Sequence, residues 1–270
     1  PLFQGISGST NNAISNYNSL QASITKRMTH GLSLSFNYVW SHMLDDQDSS
    51  GWGSRGGTQD YQNAFNPAAN YSNSNFDVRH AFKGYAVYQL PFGKGKQFLS
   101  GSRLLDAAVG GWQLAGTVIL QSGNPFTVYG NQANYSLAGT QFPNWNPGVS
   151  WRPSGGSKRT EWFNAGAFLQ PAPGTWGNVR RNSLYGPGIN TFNLEAAKSF
   201  TIPWREGIGI QFRADAQNVF NHPSFAPPSG TGLGNVLTAG GPGQPYDNGT
   251  PLSSTTIGGR NLQLALRVSF

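Results

Sequence analysis

Apolar and polar residues alternate one for one over several long stretches of the chain. In the last ten residues Leu262, Leu264, Leu266, Val268 and Phe270 fall on one face, and Asn261, Gln263, Ala265, Arg267 and Ser269 on the other. Residues 207–218 repeat the pattern. There Ile208, Ile210, Phe212, Ala214 and Ala216 oppose Gly209, Gln211, Arg213, Asp215 and Gln217. Leu32, Leu34, Phe36, Tyr38 and Trp40 likewise oppose Ser33, Ser35, Asn37, Val39 and Ser41. Weaker alternation runs through 18–26, 77–90, 111–121 and 191–202. A period of two is the mark of a strand with unlike faces, and the pattern predicts about seven of them.

Their length separates two kinds of β-protein. Strands of soluble domains average about 5–6 residues, whereas a tilted membrane-crossing strand needs about 9–11. The segments here have the longer value. The connections point the same way. Short or intermediate links at 28–31, 91–110 and 203–206 alternate with long polar ones at 45–76, 122–190 and 219–259. Membrane barrels have short periplasmic turns and long extracellular loops. With Phe270 at the periplasmic face, every short link falls on that face. Tyr38 and Trp40 at one end, and Trp112, Phe200, Trp204 and Phe270 at the other, are placed as two interfacial girdles. The expected fold is therefore all-β, an antiparallel transmembrane β-barrel segment of about seven long strands. A soluble β-sandwich is the competing fold, but its strands are shorter and its loops seldom reach these lengths.

Composition agrees. Charged residues are 11% of 270, aromatics 13%, and Gly numbers 36; soluble domains average about 25% charged. There is no Cys, so disulfides and thiolate sites are excluded. No apolar run approaches the roughly 20 residues of a membrane helix, so any crossing uses strands. The formal charge is +7, yet Lys26, Arg27, Lys94, Lys96, Arg103, Arg152, Lys158, Arg159, Arg180, Arg181 and Arg205 are scattered over turns and loops. No basic stripe forms, and no nucleic-acid partner is expected. The chain opens Pro1-Leu2-Phe3 without a signal segment, and is read as part of a longer protein.

Lipid supplies no hydrogen bonds, so a spanning sheet must close on itself. Seven strands leave two edges. Further strands upstream are expected to close against the 261–270 strand.

Several stretches resemble the TonB-dependent receptors, especially their Oar-like branch. These are Phe212-Arg213-Ala214-Asp215-Ala216-Gln217-Asn218-Val219-Phe220-Asn221-His222-Pro223, Leu184-Tyr185-Gly186-Pro187-Gly188, and the final strand from Leu262 to Phe270. The resemblance implies that residues 1–270 are the C-terminal part of an outer-membrane barrel domain of about 22 strands with a plugged lumen. It implies a bacterial outer-membrane location and energy-coupled uptake of a scarce ligand through TonB. The plug and the signal peptide would lie outside this chain. The implied partners are outer-membrane lipid, upstream strands and plug of the same protein, TonB by way of the plug, and the barrel-assembly machinery. That machinery would read Gln263, Val268 and Phe270; Ala265 stands where the family pattern has Gly.

Candidate chemistry is sparse. Trp52, Tyr61, Trp145, Trp151, Trp162 and Trp176 in the long loops are candidates for stacking on a ligand, with packing on one another as the blander alternative. Glu195, Arg213, Asp215 and Arg267 are expected to face the lumen as a charge network. Glu195 and Asp215 lie on neighbouring strands, and a glycosidase needs two carboxyls about 5–9.5 Å apart, but a polar interior explains them equally. Asp46, Asp48, Ser50 and Gly51 imitate the start of a calcium loop, with Gly57 where the closing Glu belongs. His42 lies near Asp45 and Asp46, while the four His show no ligand spacing. Lys198 has the lipid-facing parity two to four residues from a turn, so it is expected to snorkel to the interface. No metal, cofactor or catalytic residue is assigned, and a transporter rather than an enzyme is expected. A passive porin, a secreted carbohydrate-binding β-sandwich and a barrel hydrolase are the alternatives.

Overall fold

The computed structural model describes residues 11–47, 61–63, 65–93, 95–99, 106, 108–130, 141–201, 209–228, 252 and 255–270. Seven long strands form one sheet in chain order: β1 (Ser15–Thr29), β2 (Leu32–Asp45), β3 (His80–Gln89), β4 (Trp112–Gln121), β5 (Ile189–Thr201), β6 (Gly209–Gln217) and β7 (Asn261–Ser269). Every neighbouring pair is antiparallel. The short piece Ser72–Asn73 adds beside the end of β2. All seven expected strands are present; β1 is longer than its periodic stretch, and β3 begins at His80 rather than at 77.

Register carries one parity through the whole sheet. One row reads Leu34, Ala86, Gly116, Leu194, Ala216, Leu262 across β2 to β7. The row beside it on the opposite face reads Ser33, Val87, Ala115, Glu195, Asp215, Gln263. Because a one-residue slip would exchange the faces of a strand, this alignment separates an apolar side from a polar one. The apolar side is not a core. Leu264, Leu266 and Val268 are 72%, 69% and 51% exposed, and Leu20 and Ile24 are 61% and 68%. A soluble sandwich would bury these residues under a second sheet, so that alternative is set aside.

Local chemistry fixes the hairpins. His30 and Gly31 both have positive φ, 51° and 78°, as a two-residue turn with right-handed twist requires. Gly31 is needed twice over: a Cβ there would come within 2.7 Å of Gln89 O, whose own N–H donates to Gly31 O at 2.8 Å. Further along, a Cβ on Gly84 would overlap the Phe36 ring, which leans across from β2 and stacks on Phe82 at 5.6 Å.

Lys198 departs from expectation. It is only 5% exposed. Its ammonium donates to Ala108 O and Gly110 O, each at 2.9 Å, beneath the rings of Trp112 and Phe200. The turn at 106–110 ends in carbonyls without helical partners. These reach the amine before water does, so the side chain anchors that turn to the wall instead of snorkelling.

The buried hydrophobic core lies in the loops. Phe126, Val128, Phe163, Ala165, Ala167, Phe168, Val179 and Leu184 pack together within 126–184. Two small ribbons frame them, Pro125–Phe126 with Leu184–Tyr185 and Asn144–Trp145 with Phe168–Leu169.

The two faces make opposite demands. Leu264→Arg on the apolar side should lower the unfolding free energy of the barrel in lipid vesicles by about 2–4 kcal/mol. Ala265→Arg, one residue on and on the polar side, should change it far less. Equal losses in denaturant titrations would count against the assignment of faces.

Candidate functional site

The loop core is joined to the sheet by a buried polar network at the loop-bearing end of β2. Asp45 is the last residue of that strand and is 2% exposed. It forms an ion pair with Arg181, itself 1% exposed, which also donates to Asp45 O at 2.7 Å. Losing one partner of such a pair leaves an uncompensated buried charge, generally costing about 3–5 kcal/mol. Asp46 accepts from Ile14 N–H at 3.0 Å and binds the Tyr61 hydroxyl.

A second group surrounds Asp77. Its carboxylate accepts from Met43 N–H at 2.8 Å and from the Tyr185 hydroxyl at 2.9 Å, and pairs with Arg79 at 3.0 Å. Arg79 also reaches Tyr185 Oη at 3.2 Å and His42 Nε2 at 2.9 Å. Asn73 and Asn182 exchange side-chain to backbone bonds at 2.9 and 2.8 Å. Asn182 holds a φ of 53°, a left-handed conformation that Asn tolerates, and its N–H and Oδ1 both engage the Thr127 hydroxyl. Three distant stretches, 42–46, 72–79 and 181–185, are thereby locked to one another.

Ionisation follows from this burial. Desolvation pushes the Tyr185 hydroxyl above the ordinary value of 10.0; Arg79 opposes the shift and Asp77 adds to it. Burial also raises Tyr61, with Asp46 adding and Arg181 opposing.

The five candidate aromatics among the described residues do not converge on one surface. Trp52 lies outside the described residues. Tyr61 is turned to Asp46. Trp145, Trp151 and Trp162 pack against the loop core. Trp145 lies 5.0 Å from the Phe168 ring, Trp151 carries the Arg152 guanidinium on its face, and Trp162 Nε1 donates to Tyr185 O at 2.9 Å. Trp176 is the open one, 37% exposed. Asp48, Ser50 and Gly51 of the calcium-like stretch are also outside the described residues. His42 turns a ring nitrogen to the Arg79 guanidinium and to Asn73, an arrangement unsuited to a cation. Among the described residues no group of three or more His, Cys, Asp or Glu is placed to hold a metal.

The polar side of the sheet carries Glu195, Arg213, Asp215 and Arg267. Glu195 sits directly across from Asp215, whose next neighbour is Gln263, and Arg213 pairs with Asp215 at 2.9 Å. Arg267 stands opposite Gln211 on the same face. Val268 points to the apolar side opposite Ile210, and Phe270 is 99% exposed beyond the end of β7.

Sequence reasoning missed Arg181, Asp77, Arg79 and Asn182. In the sequence Arg181 is one of several scattered loop cations, yet it is buried. Its partner Asp45 lies 136 positions away, so no local pattern could pair them. The resemblance at Leu184 and Tyr185, and the acidic pair Asp45 and Asp46 beside His42, are the sequence signals that fall in the network.

A family model of the outer membrane beta barrel domain matches residues 1–263. Among curated proteins none matches the chain.

The two partly buried tyrosines give a pH response with a defined sign. Their folded pKa values lie above 10.0, so the contribution of both is intact below that pH and is lost as pH climbs from it toward the folded value. The urea midpoint of the loop, followed by near-ultraviolet circular dichroism, should fall above about pH 10. A Tyr61→Phe/Tyr185→Phe variant should start lower and lose that part of the slope. A wild-type midpoint that holds or rises there would contradict the network.

Proposed function

The chain belongs to the family of outer membrane β-barrel domains, and from that premise we propose that it forms part of the wall of a TonB-dependent receptor. In this reading the protein is a transporter, not an enzyme, and takes up a scarce ligand by coupling to TonB. The observation that carries the reading is the polar inward face, with Glu195, Arg213, Asp215 and Arg267 on β5 to β7. Such a surface suits a folded, hydrogen-bonding plug. The motif resemblance at 212–223 and 184–188 gives independent support. A loop domain with its own core, tied to β2 by buried charges, suits ligand capture above the barrel.

The partners follow from the surfaces. Outer-membrane lipid covers the apolar side. Other barrel strands pair with the free edges of β1 and β7, the plug fills the polar side and brings TonB, and the assembly machinery reads the end of β7. The two edge strands both run from the loop end to the turn end, so joining them directly would make a parallel pair. An added odd number of strands gives the even, antiparallel closure usual in bacterial barrels.

A polar interior also suits a water-filled channel, so a passive porin-like barrel is the second reading. Planar-bilayer conductance of the complete protein separates them. A plugged receptor should show no steady open current, and should be retained by immobilised TonB periplasmic domain. A large steady current without TonB retention would overturn the receptor reading in favour of a porin.

A further inference from the structure

One ring nitrogen in the junction between loops and sheet has two partners and can serve only one of them at a time. His42 Nε2 lies 2.9 Å from Arg79 Nη2 and 3.1 Å from Asn73 Oδ1. A guanidinium only donates, so the Arg79 bond needs Nε2 without a hydrogen, and the ring hydrogen of the neutral imidazole is then on Nδ1. Asn73 makes the opposite demand. Its Nδ2 donates to Asn182 O at 2.9 Å, which fixes the amide so that Oδ1, an acceptor, faces His42. Two bare acceptors do not bond, so this contact becomes a hydrogen bond only when Nε2 carries a hydrogen.

The two partners belong to different halves of the junction. Arg79 is held by Asp77 at 3.0 Å and reaches Tyr185 Oη at 3.2 Å, and Trp162 beside the loop core donates to Tyr185 O. Asn73 goes with Asn182, which also engages Thr127. The other charged and titratable groups around His42 are already engaged. Asp45 pairs with Arg181, and Asp46 binds Ile14 N–H and the Tyr61 hydroxyl. His80 Nδ1 meets the Tyr38 hydroxyl at 2.8 Å. From β1, uncharged Asn18 stands opposite His42, with Tyr17 opposite Met43. Asp45, Asp46 and Asp77 outnumber Arg79 and Arg181 by one charge, so a proton on His42 balances the junction instead of overloading it.

We propose that His42 is a proton-operated switch in the seating of the loop core on β2. Without the extra proton, Nε2 accepts from Arg79 and ties the strand to the Tyr185 half. With it, Nε2 donates to Asn73 Oδ1 and ties the strand to the Asn182 half. The Arg79 side chain, 33% exposed, is then pushed toward solvent by the new like charge and stays tethered by Asp77. Histidine changes charge within roughly pH 5–8, so acidity at the loop-bearing end selects the partner. His42 keeps one bond to the 72–79 stretch in either state, so the loops shift without unfolding. The switch rests on the loop–sheet junction alone and does not require TonB coupling.

Solid-state NMR of the complete protein in bilayers, with isotopically labelled His and Arg, reads the switch directly. At about pH 8 wild type should show His42 Nε2 without a hydrogen and in contact with the Arg79 guanidinium. At about pH 5 both ring nitrogens should carry hydrogen and the Arg79 contact should be lost. The spectrum of His42→Gln assigns the ring, and in that variant the Arg79 signals should no longer respond to the same change of pH. His80→Gln, which removes the neighbouring histidine, should leave the exchange intact. In Arg79→Gln the hydrogen should already sit on Nε2 at about pH 8. Hydrogen on Nε2 in wild type at about pH 8, or an Arg79 contact that persists once both ring nitrogens are protonated, would overturn the proposal.

Discussion

A peptide group crossing hydrocarbon finds no water, so its N–H and C=O must meet other peptide groups, and each one left over costs several kcal/mol. In this chain that demand is met between the strands by six antiparallel pairings among seven, which leaves the outer edges of β1 and β7 open. The side chains are then free to differ by face, because backbone pairing fixes which residues share a row. Leu34 through Leu262 make one row and Ser33 through Gln263 the row on the reverse side. The apolar side needs no protein partner when its partner is lipid. The exposure of Leu264 and Leu266, a defect in a soluble sheet, is the working state of a membrane wall.

The same constraint moves the hydrophobic core elsewhere. A sheet that gives its apolar face to lipid has none left to pack internally, and the loops supply their own. Phe163, Phe168 and Leu184 are fully buried together, and the Asp45–Arg181 pair ties that core to the strand end. Polar residues carry the junction because loop backbone offers unpaired groups that only specific donors and acceptors satisfy. The Asn73–Asn182 exchange is one instance. The result is a wall with a folded cap, in which the loops have fixed shape where they join the sheet.

What the sequence showed and what it hid divides along physical lines. Period-two alternation is local, so the order and number of the seven strands and the facing of Leu262 to Val268 were legible, as was the shared polar side of residues 195, 213, 215 and 267. The loops have no period, and burial there depends on contacts between distant stretches. Hence sequence offers Trp145 and Trp162 both as stacking candidates and as packing residues, and only the fold shows that they lie against the core. Lys198 was legible in parity but not in fate, because the carbonyls that hold it come from a turn about 90 positions earlier. Those carbonyls win over the interface because they are already oriented toward the amine, although Ala108 O also accepts from Trp112 Nε1 at 3.1 Å.

Site-directed spin labelling along β7 probes the central claim most directly. Single nitroxides at successive positions from 262 to 268, in the protein reconstituted in bilayers, would be tested for collision with oxygen, which dissolves in lipid, and with a water-soluble nickel chelate. The account predicts oxygen access at 262, 264, 266 and 268, with the intervening positions shielded from lipid. A profile without that two-residue period, or high nickel access on the apolar side, would contradict it.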